Sequence, residues 1–157
     1  MRLAYFDCPS GAAGDMILGA LVDAGLPFDD LRAGLERLGL AGYTLEQREV
    51  TKRGFRATKV EVHVHEHAHG GHEHHHPHRT LPRIRELIQS STLPDPVKGS
   101  AVRVFTRLAE AEGRAHGQPP ETVHFHDVGA VDAIVDITGA CLGLHLLGVG
   151  ALHCSAL

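Results

Sequence analysis

The stretch GAVDAIVDITGACLGLHLL, from Gly129 to Leu147, decides the fold. Most of its residues are apolar, and a helix that is apolar on nearly every side is normally buried by other elements. Asp132 and Asp136 lie four residues apart, so they share one face of this predicted helix. The same face carries small residues that would let a ligand or another backbone come close: Gly129, Ala133, Ala140 and Gly143.

Carboxylates on a buried helix require a partner or a raised pKa. A metal ion, an arginine or backbone donors would each serve. Just upstream, His124 and His126 lie in a segment that is expected to be extended, so their imidazoles point to the same side and can bind one metal ion. Asp127 follows directly. In the purely structural interpretation, Asp132 complements the helix N-terminus and Asp136 meets an arginine. Spacing alone leaves the two interpretations equally open.

The rest of the chain contains both helical and alternating patterns. They predict strands near 3–6, 43–50, 57–64 and 151–157, and helices near 16–24, 29–38, 80–90 and 95–115. Glycines 25, 39 and 117 are expected to end helices, and Asp29 or Asp30 to cap the second one. Together these elements predict an α/β fold with a mixed sheet of about four or five strands packed against helices.

A histidine-rich tract, HVHEHAHGGHEHHHPH, runs from His63 to His78 and holds nine of the fourteen histidines. Neutral imidazole is a common ligand of nickel, zinc and copper, so the tract predicts metal binding. The alternative is a low-complexity loop without a function. Its first histidines should lie on the exposed face of a strand, and the remainder in a disordered loop. The predicted ligands are His63, His65, His67, His69, His72, His74, His75, His76 and His78.

The loop PSGAAGD connects the first strand to the first helix and is rich in small residues. Free backbone N–H groups at such a turn suit an anion, and the predicted binding residues are Ser10, Gly11, Gly14 and Asp15. The loop lacks the Gly-Lys-Ser/Thr ending of a Walker A motif. Asp15 would repel a phosphate unless a metal lay between them, and Asp7 could help to hold a hydrated Mg²⁺ or Mn²⁺. A tight turn that needs glycine only for packing is at least as good an interpretation.

Length, charge and cysteine content restrict the class of protein. A chain of 157 residues fits one domain, here with the histidine-rich insert at 63–78. The formal charge of −4 argues against nucleic acid or a membrane surface as partner. No apolar run reaches the length of a membrane span. Three widely spaced cysteines indicate reduced thiols and a cytoplasmic location.

Three stretches together resemble the LarC family of nickel insertion proteins. They are FDCPSGAAGDMILGALVDAG near the start, the histidine-rich insert followed by a helix, and LAEAEGRAHG with the later VHFHDVGAVDAIVDI. The resemblance runs essentially end to end and in the same order. Asp127 departs from the family, which more often has a glutamate there. The chain resembles the N-terminal part of the family, which agrees with its end at an apolar strand with no polar tail.

The resemblance implies a CTP-dependent nickel chelatase, classed as a lyase. Such proteins insert Ni²⁺ into pyridinium-3,5-bisthiocarboxylic acid mononucleotide and so complete the nickel-pincer cofactor of lactate racemase. The reaction consumes CTP with Mg²⁺ or Mn²⁺, and the CTP-binding region belongs to the C-terminal part of the family, which this chain lacks. Lactate racemase is an expected partner, and homo-oligomerisation stays open.

The chemistry of nickel suggests separate roles for the tract and for the later histidines and aspartates. The tract would gather Ni²⁺ and release it by ligand exchange to a tighter site at His124, His126 and Asp127, with Asp132 and Asp136 as further ligands. Forming a Ni–C bond requires loss of a ring proton, so His126 or Asp127 is the expected base. The Gly11–Gly14 loop would take the substrate phosphate. The alternative function is a non-catalytic nickel or zinc storage or metallochaperone module.

Overall fold

The fold contains five helices and four strands within the residues that the computed structural model describes, which are 2–9, 11–65, 80–125 and 129–155. In chain order the elements are β1 (Arg2–Phe6), α1 (Gly14–Asp23), α2 (Phe28–Glu36), β2 (Tyr43–Lys52), β3 (Phe55–Val64), α3 (Leu81–Ser90), α4 (Asp95–His116), α5 (Val131–Leu146) and β4 (Val149–Cys154). The mixed α/β class is therefore confirmed. The predicted disordered loop of the histidine tract lies outside the described residues from position 66 to 79.

The described strands form two separate two-stranded sheets, and the expected single mixed sheet of four or five strands is not confirmed. Strands β1 and β4 pair in parallel, with Ala4 opposite Leu152 and Phe6 opposite Cys154. Strands β2 and β3 form an antiparallel hairpin. Strand β3 packs against α1 and α5, and within the described residues the hairpin does not pair with β1 or β4.

The β2–β3 hairpin turns through two residues, Arg53 and Gly54. Both have positive φ, 52° and 86° respectively, which is the backbone of a type I′ turn and matches the twist of the strands. The resulting register buries Val60 completely. His63 and His65 are exposed at the far end of β3, as the alternation predicts.

Helix α5 lies at the centre of the packing, where it contacts α1, α2, α4 and both sheets. Ile134, Val135 and Leu142 are buried, so the prediction of a buried helix is confirmed. Close approach depends on glycine, because a Cβ at Gly143 would lie 2.8 Å from the Leu21 side chain on α1. The small residues of α5 therefore admit a neighbouring helix.

The glycine expected to end α4 is confirmed, but the side-chain cap predicted for α2 is not. Gly117 adopts φ 65° and ends α4, as expected. The N-cap of α2 is Pro27, and no side chain caps it, so the prediction of an Asp29 or Asp30 cap is wrong. Both aspartates lie instead in the first turn, where their charge still complements the helix dipole. Among the described residues, no helix is long and apolar enough to cross a membrane.

Candidate functional site

Asp136 on α5 lies directly against Gly14 at the start of α1. A Cβ built on Gly14 would come within 2.5 Å of the Asp136 carboxylate oxygen Oδ2. Glycine is therefore required here by the close approach of the carboxylate. The fold thus brings together two residues that the sequence assigned to different sites, one in the anion loop and one in the metal-ligand pair.

The environment of Asp136 disfavours its ionised form. Burial, together with the charges of Asp15 and Asp132, raises the pKa of Asp136 from 3.8 to about 7. Its buried Oδ1 has no hydrogen-bond partner within the described parts of the chain. No arginine contributes to the pKa shift, so the interpretation in which an arginine satisfies Asp136 finds no support. An unsatisfied buried carboxylate oxygen is what an incoming cation would bind.

The two neighbouring aspartates, Asp132 and Asp15, each accept a hydrogen bond from a backbone N–H of their own helix. Asp132 is exposed in the first turn of α5, where its Oδ1 accepts a hydrogen bond of 2.8 Å from the Ala133 N–H. Asp15 accepts one of 2.9 Å from the Met16 N–H in the first turn of α1. Both placements agree with a helix N-terminal role. Within the described segments, no three His, Cys, Asp or Glu side chains converge tightly enough to hold a metal ion.

A cavity of about 780 Å³ opens beside Asp136. One wall is formed by Ala12 and Ala13 and by Gly14 and Ile17 at the start of α1. Another is the face of α5 that carries Asp136, Ala140 and Cys141. Strand β4 and helix α4 complete the lining. The volume lies within the range of small-molecule sites, roughly 300–1,000 Å³.

Helix α4 contributes two cations that the sequence interpretation did not select. Arg103 and Arg107 line the cavity together with Ser100. Their four-residue spacing is visible in the sequence and places them on one helix face. Which face of α4 meets α5 depends on the tertiary packing, so the spacing alone did not reveal a site.

Two histidines of the tract, His63 and His65, lie within the described residues. His63 Nε2 lies 2.9 Å from Glu46 Oε2 across the hairpin, an arrangement that fixes the ring and leaves Nδ1 for a metal. His65 donates its backbone N–H to the Gly42 carbonyl at 2.8 Å. At the other end, Thr80 pairs through an isolated antiparallel bridge with His124, whose side chain is exposed. The described chain therefore resumes after the tract directly beside His124.

The remaining predicted site residues fall outside the described residues. They comprise the expected bases His126 and Asp127, the loop residue Ser10, and the tract histidines His67, His69, His72, His74, His75, His76 and His78. Of the loop, Gly11 is described, and its φ of 81° requires glycine for the turn itself.

A protein-family model described as nickel insertion protein matches residues 4–157. The chain belongs to the nickel insertion protein family. A candidate nickel insertion protein of Gloeobacter violaceus is 52% identical over 158 residues, which cover 100% of this chain and 36% of that protein. One of Synechococcus elongatus is 50% identical over 99% of this chain and 37% of its own length.

A third relative has a similar identity and coverage. A candidate nickel insertion protein of Citrifermentans bemidjiense is 48% identical over 100% of this chain and 39% of its own length. The chain thus spans well under half the length of the curated relatives that it matches. No solved structure matches the chain.

Proposed function

We propose that this chain, within a protein of its relatives' length, serves to insert Ni²⁺ into pyridinium-3,5-bisthiocarboxylic acid mononucleotide. The product would be the nickel-pincer cofactor of lactate racemase. The observation that carries the proposal is the family match across residues 4–157, together with about 50% identity to candidate nickel insertion proteins. CTP with Mg²⁺ or Mn²⁺ would act through the C-terminal part of the family, and the cytoplasm is the proposed location.

The histidine tract is the proposed collecting site. Nickel stands high in the order of divalent-metal affinities, and imidazole suits it. Clustered rings exchange a bound ion without one fixed geometry, so a tract can gather nickel and release it. The contact between His63 and Glu46 supports this role at the start of the tract, because it orients one ring for ligation.

Transfer from the tract would lead to His124 and then to the end of the cavity at which Asp136 meets Gly14. The pairing of Thr80 with His124 supports this order, since Thr80 is two residues beyond the tract and lies beside a predicted ligand. Asp132, His126 and Asp136 are the further proposed ligands. The unpartnered Oδ1 of Asp136 supports a cation at that end.

The insertion step requires bond changes at the pyridinium ring. Two thiocarboxylate sulfurs bind the nickel, and a Ni–C bond replaces a ring C–H bond, so one proton must leave. His126 and Asp127 are the proposed acceptors. They lie in the sequence between Phe125 and Gly129, both of which are buried, and next to the helix that carries Asp132 and Asp136.

The test compares nickel insertion by the complete protein with insertion by a variant that lacks residues 65–78. We expect the deletion to slow insertion at limiting Ni²⁺ and to have little effect in excess Ni²⁺. Replacement of His124, His126, Asp132 or Asp136 should slow insertion at both concentrations. His116→Ala is the matched control, because this exposed histidine of α4 lies outside the proposed site. Unchanged rates in all four replacements would refute the assignment of the site.

A nickel or zinc storage module is the second candidate. The observation in its favour is the tract itself, whose nine histidines would suffice to bind metal without catalysis. Storage predicts that the complete protein binds nickel and returns it unchanged. If the mononucleotide is recovered without metal after prolonged incubation of the complete protein with nickel, CTP and Mg²⁺, storage is favoured over insertion.

A further inference from the structure

One stripe of α4 faces the cavity, and it carries two arginines. Its cavity-lining residues recur at helical spacing along α4, and they are Pro96, Ser100, Arg103, Val104 and Arg107. Arg103 and Arg107 are four residues apart, so their guanidinium groups lie one turn from each other on the same side of the helix. Both side chains are exposed to the cavity solvent.

Neither arginine is neutralised within the part of the chain that the structure describes. Arg103 donates a hydrogen bond of 2.9 Å to the Ser100 hydroxyl, a neutral partner. The described residues give Arg107 no hydrogen bond or ion pair. Two like charges one helix turn apart repel each other. A dianion between them would remove that repulsion and accept several charge-assisted hydrogen bonds.

One acidic residue, Asp136 on α5, lines the same cavity. Burial raises the pKa of the Cys141 thiol to about 11, and the nearby charge of Arg103 opposes this rise. Asp136 is five residues from Cys141 on α5, which is about 7.5 Å along a helix. No arginine affects the pKa of Asp136, whereas Asp15 and Asp132 both do. The cavity therefore has a cationic end at Arg103 and Arg107 on α4, and its acidic end is Asp136, where α5 meets Gly14 of α1.

We infer that this cavity binds a pyridinium mononucleotide with its phosphate monoester on Arg103 and Arg107 and its ring toward Asp136. The inference rests on the proposed function for the identity of the ring. Bidentate guanidinium groups suit phosphate oxygens. The ring would lie over the apolar wall formed by Ile137, Ala140 and Val149, and the volume of about 780 Å³ accommodates a ligand of this size.

This orientation revises the expected place of the phosphate. The Gly11–Gly14 turn was the sequence-based candidate, but Gly14 touches the Asp136 carboxylate and Asp15 follows it directly. A phosphate there would meet two carboxyl groups. At the arginine end it meets two cations, and the acidic end is left for a metal cation that approaches the ring.

The test is calorimetric titration of the 157-residue chain with nicotinic acid mononucleotide, a stable pyridinium mononucleotide, in metal-free buffer. The dephosphorylated riboside serves as the second ligand. We expect the mononucleotide to bind and the riboside to bind at least tenfold more weakly, because hydrogen bonds to charged groups contribute about 1.5–3 kcal/mol each. Arg103→Gln and Arg107→Gln should each weaken mononucleotide binding about tenfold, and the double variant more than either.

Arg114→Gln is the matched control. Arg114 is an exposed arginine of the same helix, outside the cavity lining, and the structure gives it no carboxylate partner among the described residues. It should bind the mononucleotide as the unmodified chain does. Circular dichroism and thermal unfolding of each variant show that the fold persists. Arg103→Lys should retain part of the affinity that Arg103→Gln loses, because lysine keeps the charge without the bidentate geometry.

Three results would overturn the inference. In the first, Arg103→Gln and Arg107→Gln both bind the mononucleotide as tightly as the unmodified chain does. In the second, the mononucleotide and the riboside bind equally tightly. In the third, CTP binds more tightly than the mononucleotide, and its binding depends on the arginines. The outcome is independent of the insertion assay. Arginine-dependent mononucleotide binding in a protein that inserts no nickel would refute the proposed function and leave the binding site standing, and the reverse pattern would refute the site alone.

Discussion

Replacement of Asp136 by asparagine should stabilise the protein at neutral pH and above. Burial, Asp15 and Asp132 raise the pKa of this carboxyl from its ordinary value of 3.8 to about 7. Each pKa unit corresponds to about 1.4 kcal/mol, so the shift of about 3 units sets an upper limit of about 4 kcal/mol. Because Asp136 is only partly buried, solvent screens the interaction, and we expect about 2 kcal/mol.

The sign of the effect follows from proton linkage. Below pH 3.8 the carboxyl is protonated in both the folded and the unfolded chain and costs nothing. Between pH 3.8 and about 7 the unfolded chain ionises first, so the free energy of unfolding falls as the pH rises. Above pH 7 the loss is complete. Asparagine has the same shape and no charge, so Asp136→Asn avoids the loss.

Urea unfolding followed by circular dichroism measures the difference. In buffer with a chelator, the free energies of unfolding of the variant and the unmodified chain should agree within error near pH 4 and differ by about 2 kcal/mol at pH 8. Asp30→Asn is the control, because this exposed aspartate in the first turn of α2 lies far from the site in sequence and on another helix. A difference that is the same at both pH values would refute the reasoning, and so would a variant that is less stable at pH 8.

Three further predictions test packing and ligation. Gly19→Ala should destabilise the protein by about 1–3 kcal/mol, because a Cβ there would overlap the Thr58 carbonyl of β3. Gly99→Ala should instead stabilise the protein by up to about 1 kcal/mol, because a Cβ on this helical glycine would have its nearest neighbouring atom 3.5 Å away. Thermal unfolding should therefore show a lower midpoint for Gly19→Ala and a higher midpoint for Gly99→Ala. Thr138→Val should raise the free energy of unfolding by about 1 kcal/mol, because the fully buried hydroxyl has no partner among the described residues; a destabilised variant would reveal a missed hydrogen bond. Nickel affinity of the tract should fall as the pH drops through roughly 6.5, since each imidazole must lose its proton to bind; equilibrium dialysis that shows flat uptake from pH 7.5 to 5.5 would exclude imidazole ligation.

Local sequence patterns predicted the elements of this fold well. The positive-φ glycines at 39 and 117 lie where the helix patterns stop, and the Arg53–Gly54 turn lies between the two predicted strands. Each of these features depends on a few neighbouring residues. The cap of α2 was missed because Pro27 precedes two aspartates that looked like better caps, and a proline can begin a helix without a side-chain hydrogen bond.

Features that depend on long-range packing were predicted less well. The sequence could not show that the described strands form two separate pairs and that β3 packs against α1 and α5, because that depends on which faces of the elements meet. The cavity could not be predicted for the same reason. Asp136 was selected as a buried carboxylate from its helix, but its neighbour Gly14 is 122 positions earlier in the chain, and Arg103 reaches the cavity from a third helix.

The most direct test of nickel insertion is mass spectrometry of the mononucleotide after incubation with the complete protein, Ni²⁺, CTP and Mg²⁺. We expect a product that holds one nickel ion and has lost the proton of one ring C–H bond. Recovery of the mononucleotide without metal, from a protein that has bound nickel, would contradict it.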